Sequence, residues 1–261
     1  LKPTLTNGRL SMKTRDDFQN RYDISNQLTK VATFCFWANV IFAFLALITT
    51  DCVKPLLWGA QVILALAYVV LTVIDNCFLW YEAEIGRIED NIADAFSANL
   101  TEEHTEGYYT NSEAPSIKKY AINTYESAFY SREESRAMIP YTLAKIAVAV
   151  GMVLLLALLR AVDMAWVLWI AQAVFSSVVI IDCIQLIVFS FKMNSICKLF
   201  YTQLITEGRS TTVGCEAMLI SCVVKYETTK MYFKVRLSQK VFKRLEPKLA
   251  TRWTELLSQI K

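Results

Sequence analysis

Apolar residues in this 261-residue chain gather into four long runs instead of recurring at one spacing throughout. A helix crossing roughly 30 Å of hydrocarbon needs about 20 mostly apolar residues, because each adds about 1.5 Å and its backbone bonds close within the segment. The runs from about Val31 to Thr50, Leu56 to Trp80, Met138 to Leu159 and Val162 to Phe191 meet that requirement. Asp51, Cys52, Val53, Lys54 and Pro55 form a tight link between the first two, and little more than Arg160 and Asp163 separates the last two. The pattern predicts an all-α membrane protein with four transmembrane helices arranged as two hairpins. The fourth run exceeds a bilayer's thickness, so it must tilt or project into water.

Five regions follow: an N-terminal segment (1–30), a first hairpin (31–80), a middle segment (81–137), a second hairpin (138–191) and a tail (192–261). Past the second span, Ile85, Ile88, Ile92, Phe96 and Asn99 recur at three-to-four spacing with Glu84, Arg87, Asp90 and Asp94 opposite. The span is therefore expected to continue as an amphipathic helix whose charged side faces water. Residues 99–116, rich in Gly, Asn, Ser, Thr and Pro, read as an ordered loop. From Ile117 a helical face returns through Tyr120, Ala121, Thr124, Tyr125, Ala128 and Phe129. In the tail the spacing predicts helices over Ser195–Ile205 and Cys215–Leu245, broken at Gly208 and Gly214, with Pro247 ending or kinking the last. Leu199, Phe200, Tyr226, Phe233 and Trp253 need burial, so the tail is expected to pack and not to trail as a basic strand. Val73-Ile74-Asp75-Asn76-Cys77 and Ile180-Ile181-Asp182-Cys183 are similar, which fits either two related hairpins or chance.

Charge orients this plan. Lys and Arg number 6 in residues 1–30, 5 in 81–137 and 13 in 192–261, while each hairpin tip carries one. Basic residues are retained on the cytoplasmic side, so both termini and the middle segment are expected there. The whole chain carries +3, but the middle segment has 5 basic and 12 acidic residues and the tail 13 basic and 5 acidic. A segment at −7 and a tail at +8 should attract each other. Residues 1–30 are polar and the first apolar run is of span length, so no cleavable signal peptide is expected.

Candidate chemistry is sparse. The one histidine, His104, lies in an acidic polar loop, and no nucleophile-elbow, zinc-protease, P-loop or dinucleotide pattern occurs. The seven cysteines show no C-x-x-C pairing. Neither enzyme, metal site nor cofactor is expected. Charged residues in hydrocarbon face a partner, a cavity or a pore. Asp75, Lys145 and Asp182, with Gln185 beside them, could form either a polar constriction or an ion pair that locks the bundle. Ala147 and Gly151 are spaced for close helix contact, within one protomer or between protomers. Tyr108, Tyr109, Tyr120 and Tyr125 accompany Lys118 and Lys119; rings that stack on bases and cations that pair with phosphates suit a nucleotide, and equally suit helix packing with solvated lysines.

The stretch EAEIGRIEDNIADAF from the second span, then GYYTN at 107–111, then KKYAINTYESAFY at 118–130, leading into the third span, resembles the SMODS-associated four-transmembrane effector domain, a bacterial anti-phage family. Tyr125 and Ser127 depart from that family's later motif, N-x-F-E-N-x-x-F, and the resemblance does not extend into residues 200–261. It implies an inner-membrane effector, gated open or held shut by a cyclic or linear oligonucleotide from a partner nucleotidyltransferase, that depolarises infected cells. Under that implication Tyr108, Tyr109, Asn111, Lys118, Lys119, Asn123 and Arg132 are the candidate sensor, and Asp75, Lys145, Asp182 and Gln185 the candidate pore or gate. A homo-oligomer in the bilayer, a tetramer as the first guess, is expected, since four helices with few polar faces cannot enclose a conducting path alone. The alternative is a non-conducting membrane adaptor that recognises a phage or host factor and recruits a cytoplasmic partner.

Overall fold

The computed structural model describes residues 15–16, 19–98, 100, 105–106, 109–158, 165–206 and 213–260, and their side chains except those of 15–16, 19–20, 44, 47–48, 105–106, 149, 152–158, 165–179 and 213. The architecture is helical. Helix α1 spans Gln19–Ile48. α2 (Lys54–Ile74) passes through a π turn at Asp75–Leu79 into α3 (Trp80–Phe96), so the three form one rod. α4 covers Ile117–Leu158, and α5 covers Ala165–Tyr201 with a π turn at Thr202–Thr206. α6 (Val213–Phe233) and α7 (Gln239–Leu257) complete the chain. A two-residue ladder joins β1 (Arg15–Asp16) to β2 (Thr105–Glu106), antiparallel, with Arg15 opposite Glu106.

α1 packs along α2, α4 packs along α5, and α6 lies against both α4 and α5, with α3 and α7 also on α4. Two stretches, Lys54–Phe96 and Ile180–Thr206, are long and apolar enough to cross a membrane. Only 6% of the most apolar window in the first is buried, so its side chains point outward: Val62, Ile63, Leu66, Val69, Val70 and Val73 are all exposed. The same holds for Phe34 and Ile41 on α1, Leu143 and Val148 on α4, and Ile181 and Ile184 on α5. An apolar surface of that extent is not stable against water.

Burial is concentrated elsewhere. Ile122, Tyr125 and Phe129 of α4, Phe189, Met193 and Phe200 of α5, Val223 and Tyr226 of α6 and Trp253 of α7 form one core, each 3% exposed or less. Trp253 anchors α7 there, edge-on to Tyr125 at 5.2 Å and near Phe129 at 5.8 Å. The apolar face read from Ile117 onward is the face that enters this core, and the tail packs through Phe200, Tyr226 and Trp253, although Leu199, expected to be buried, is exposed on the outer side of α5.

Four sequence expectations are corrected. The α3 face is inverted: Glu84 and Asn91 are fully buried and Asp90 nearly so, whereas Phe96 is exposed, because α6 brings opposite charges to the polar side. The helix expected to begin at Ser195 is the continuation of α5. The one expected over Cys215–Leu245 breaks at Lys234, which takes a left-handed φ of 49°; Val235 then turns inward and Arg236 reaches across to Asp75, contacts that a continuous helix would forgo. Pro247 neither ends nor begins α7 but lies inside it. Its missing N–H falls on the exposed side, where water can satisfy the freed carbonyl, while Leu249 and Trp253 hold the other face. Ser97 (φ 52°) ends α3 in the left-handed cap geometry usual for glycine, and Ser116 N–H donates to Ala95 O at 3.1 Å, closing the loop before α4.

Candidate functional site

The tail meets the first hairpin at Asp75, the first residue of the π turn. Its carboxylate, 5% exposed, accepts from Ser25 Oγ at 2.7 Å and Thr29 Oγ1 at 2.9 Å and pairs with Arg236 from the segment between α6 and α7. Arg236 also donates to Ser25 Oγ at 2.7 Å and Thr29 Oγ1 at 2.6 Å, and its guanidinium lies 5.1 Å from the centre of the Trp80 ring. Lys234 Nζ donates to Asn76 O at 3.2 Å in the same turn. The connector thus straps the place where the α2–α3 rod departs from regular α geometry, and π turns recur at functional positions. A buried carboxylate stripped of its cation is left uncompensated, at about 3–5 kcal/mol.

One to three turns further along the rod, a second cluster ties α1, α3 and α6. Glu84 accepts from Tyr22 OH at 3.0 Å and Arg87 Nε at 2.9 Å and pairs with Lys230 Nζ at 3.0 Å, while Arg87 pairs with Glu227. Burial alone would raise the Glu84 pKa, but Lys230 and Arg87 outweigh it and hold the carboxyl well below the ordinary glutamate value. Burial, aided by the nearby Arg87, lowers Lys230. Glu134 of α4, 5% exposed, is pushed by burial up to about 8, against the pull of Lys230. It is therefore mostly uncharged at neutral pH. Two carboxylates and two cations then balance, which is how four charges can be held out of water. Arg87 Nη1 and Glu227 Oε1 are buried without a hydrogen bond among the described residues, so the cluster is not saturated.

Of the residues expected to form a sensor, Asn111, Lys119 and Asn123 come together, but around Asp94. Asn123 Nδ2 donates to Asp94 Oδ2 at 2.7 Å, Lys119 Nζ lies 3.2 Å from the same carboxylate, and Asn111 bonds Asn123. Beside them Glu126 accepts from Thr110, whose hydroxyl also accepts from Trp253 Nε1 at 2.9 Å. This constellation fastens the loop before α4 to α3 and α7. Lys118 pairs with Glu113 at 3.0 Å, Tyr109 is half-buried, and Arg132 stands apart, beside Glu133 and 5.2 Å from the Phe129 ring centre. Tyr108 and His104 lie outside the described residues. Of the expected gate, Asp75 is in the strap, Lys145 and Asp182 are exposed on α4 and α5, and Gln185 is half-buried. Asp75 takes its cation from the tail.

Glu227, Lys230, Glu134 and Arg236 escaped the sequence reading, and Glu84 and Arg87 entered it only as the polar side of the helix after the second span. The opposed charges of middle segment and tail pointed to pairing between the two, without saying which residues meet. Among the described residues no cluster of three or more His, Cys, Asp or Glu could hold a metal. No protein-family model, no curated protein and no solved structure matches this chain.

Proposed function

We propose that the chain is a membrane effector: four spans in the bacterial inner membrane, both termini cytoplasmic, assembled as a homo-oligomer that permeabilises the membrane under control of an oligonucleotide from a partner nucleotidyltransferase. The observation that carries this reading is the division of the molecule into an outward-facing apolar bundle and a buried-core module, joined by the Asp75–Arg236 strap. Such a joint transmits movement of the tail to the second span, because shifting α6 or α7 must either drag the π turn or break a buried ion pair. Exposed Ala147 and Gly151 on α4 leave a small-residue face open for a neighbouring protomer; among the described residues nothing lies within 4 Å of a Cβ placed at Gly151. The anti-phage role rests on the resemblance in residues 84–131.

Ion flux from liposomes holding the purified protein, with and without cyclic and linear di- and tri-adenylates and guanylates, tests the reading. Flux that changes on adding one of these supports it. No flux under any condition removes the pore and favours the non-conducting adaptor.

A further inference from the structure

An oligonucleotide-controlled effector needs a place for its ligand, and the polar residues of the 109–123 region are largely engaged with one another. A better-suited surface lies where α4, α5 and α7 meet. A cavity of about 260 Å³ there is bounded by Tyr125, Phe129, Arg132, Lys198, Tyr201 and Arg252. Three cations and three aromatic rings face one small space. The neighbouring carboxylate, Glu133, pairs with Arg132 at 2.8 Å and reaches Arg252 only at 3.9 Å, so the balance stays positive.

The parts are differently committed. Arg132 and Arg252 both lie on the Phe129 ring, at 5.2 and 5.7 Å from its centre, which fixes their guanidinium groups; Arg132 is also held by Glu133 through Nε at 2.9 Å and Nη2 at 2.8 Å, whereas Arg252 and Lys198 keep their charge for a ligand. Tyr125 is 2% exposed, stacked on Phe200 at 5.4 Å. Tyr201 is 42% exposed, and Lys198, one helical turn before it, is exposed as well. Tyr201 is ten residues beyond Phe191, about 15 Å along the helix, which places the cavity at the far end of the apolar stretch that closes at Thr206.

We infer that this cavity holds one nucleotide unit of a phosphorylated ligand, its phosphate on Arg132, Lys198 and Arg252 and its base on Tyr201. The inference deepens, and rests on, the oligonucleotide-controlled reading above. Ligand cavities commonly hold about 300–1,000 Å³, so a volume of about 260 Å³ suits one nucleotide and not a whole oligomer. Fixed guanidiniums pair with phosphate oxygens, and a half-exposed ring offers a base a stacking face. The site also spans two elements next to irregular turns. Arg252 belongs to α7, which begins just after the strap, and Tyr201 precedes the π turn at Thr202–Thr206.

The test uses full-length protein in detergent and fluorescently labelled 5′-phosphorylated diadenylate and diguanylate, with inorganic phosphate and unphosphorylated nucleoside as competitors. Reversing both exposed cations (Lys198→Glu with Arg252→Glu) should weaken binding at least tenfold and flatten its salt dependence, and Tyr201→Ala should weaken it about fivefold or more. Lys225→Glu, on the exposed side of α6 and outside the cavity, should leave binding unchanged, and an unaltered melting midpoint shows that each variant is folded. No binding of either dinucleotide to the wild type overturns the inference, as does undiminished binding in both cavity variants. Competition by phosphate alone as effective as by the labelled dinucleotide overturns the nucleotide assignment. Flux measurements separate this from the effector reading. Dinucleotide-dependent flux that persists in the double variant sinks the cavity and leaves that reading standing; cavity-dependent binding with no effect on flux does the reverse.

Discussion

Replacing Arg236 by Met keeps most of its length and removes its charge, and the structure says what that does. Asp75, 5% exposed, would keep two hydroxyl donors and lose the cation paired with it, and the hydrogen bonds of Arg236 to Ser25 and Thr29 and its place over Trp80 would go. An uncompensated buried charge costs about 3–5 kcal/mol, and the lost cation–π contact adds about 0.5–2 kcal/mol. For a chain of this size each kcal/mol moves the melting midpoint by about 2–4 °C, so Arg236→Met should melt at least about 6 °C below wild type in detergent. A smaller loss should appear when Asp75→Asn leaves the half-buried Arg236 without its anion. The double variant has neither orphaned charge. It should lie well above the sum of the single effects, with a coupling of about 2–3 kcal/mol. Thermal unfolding followed by tryptophan fluorescence for all four proteins measures this. Additive effects within about 0.5 kcal/mol would refute the strap as a coupled unit.

Other outcomes follow from the same structure. Glu134 has a folded pKa of about 8 against an ordinary 4.5, so the folded state holds the extra proton and wild-type stability falls as pH rises between those values. Glu134→Gln removes that dependence, and its stability advantage should widen by up to ~1.4 kcal/mol per pH unit from about pH 5 to about pH 8 in detergent melting curves; a constant gap would contradict the assignment. Cys52 is exposed at the first hairpin tip, so in spheroplasts a membrane-impermeant maleimide should label it and lose that label in Cys52→Ser, whereas labelling only after lysis would reverse the orientation. Gly151→Leu should lower the oligomeric state seen by mass photometry without lowering the melting midpoint, since no described residue meets a Cβ at this exposed position.

The plan of rods was legible because hydrocarbon-length apolar runs admit few alternatives, and because Ile117, where a new apolar face begins, is also where α4 begins. The attraction between middle segment and tail was legible in their opposite charge and is realised in Glu84–Lys230 and Glu133–Arg252, while Arg87–Glu227 joins the two with the signs reversed. Which side of α3 faces inward was not, because periodicity assigns apolar residues to the core unless charged partners arrive from a distant helix. Glu84 and Lys230 are 146 positions apart, beyond any local pattern. The break at Lys234 was hidden for the same reason: its local sequence suits a helix, and the contacts that interrupt it are with Ser25, Thr29 and Asp75. Within the candidate sensor, the resemblance pointed to Lys119 and Asn123 but could not show that Asp94 occupies them. Arg132 alone of that set borders the α4–α5–α7 cavity, whose other cations come from helices about 65 and 120 residues further on.

The central claim, that a cytoplasmic module controls a membrane pore, is tested most directly by conductance across a planar bilayer containing the purified full-length chain, with cyclic and linear adenylate and guanylate oligonucleotides added to each side in turn. The account predicts a conductance that at least one of them switches from the side bearing residues 192–261 and not from the other. A membrane that stays silent throughout, or conducts identically with and without every oligonucleotide on either side, would contradict it.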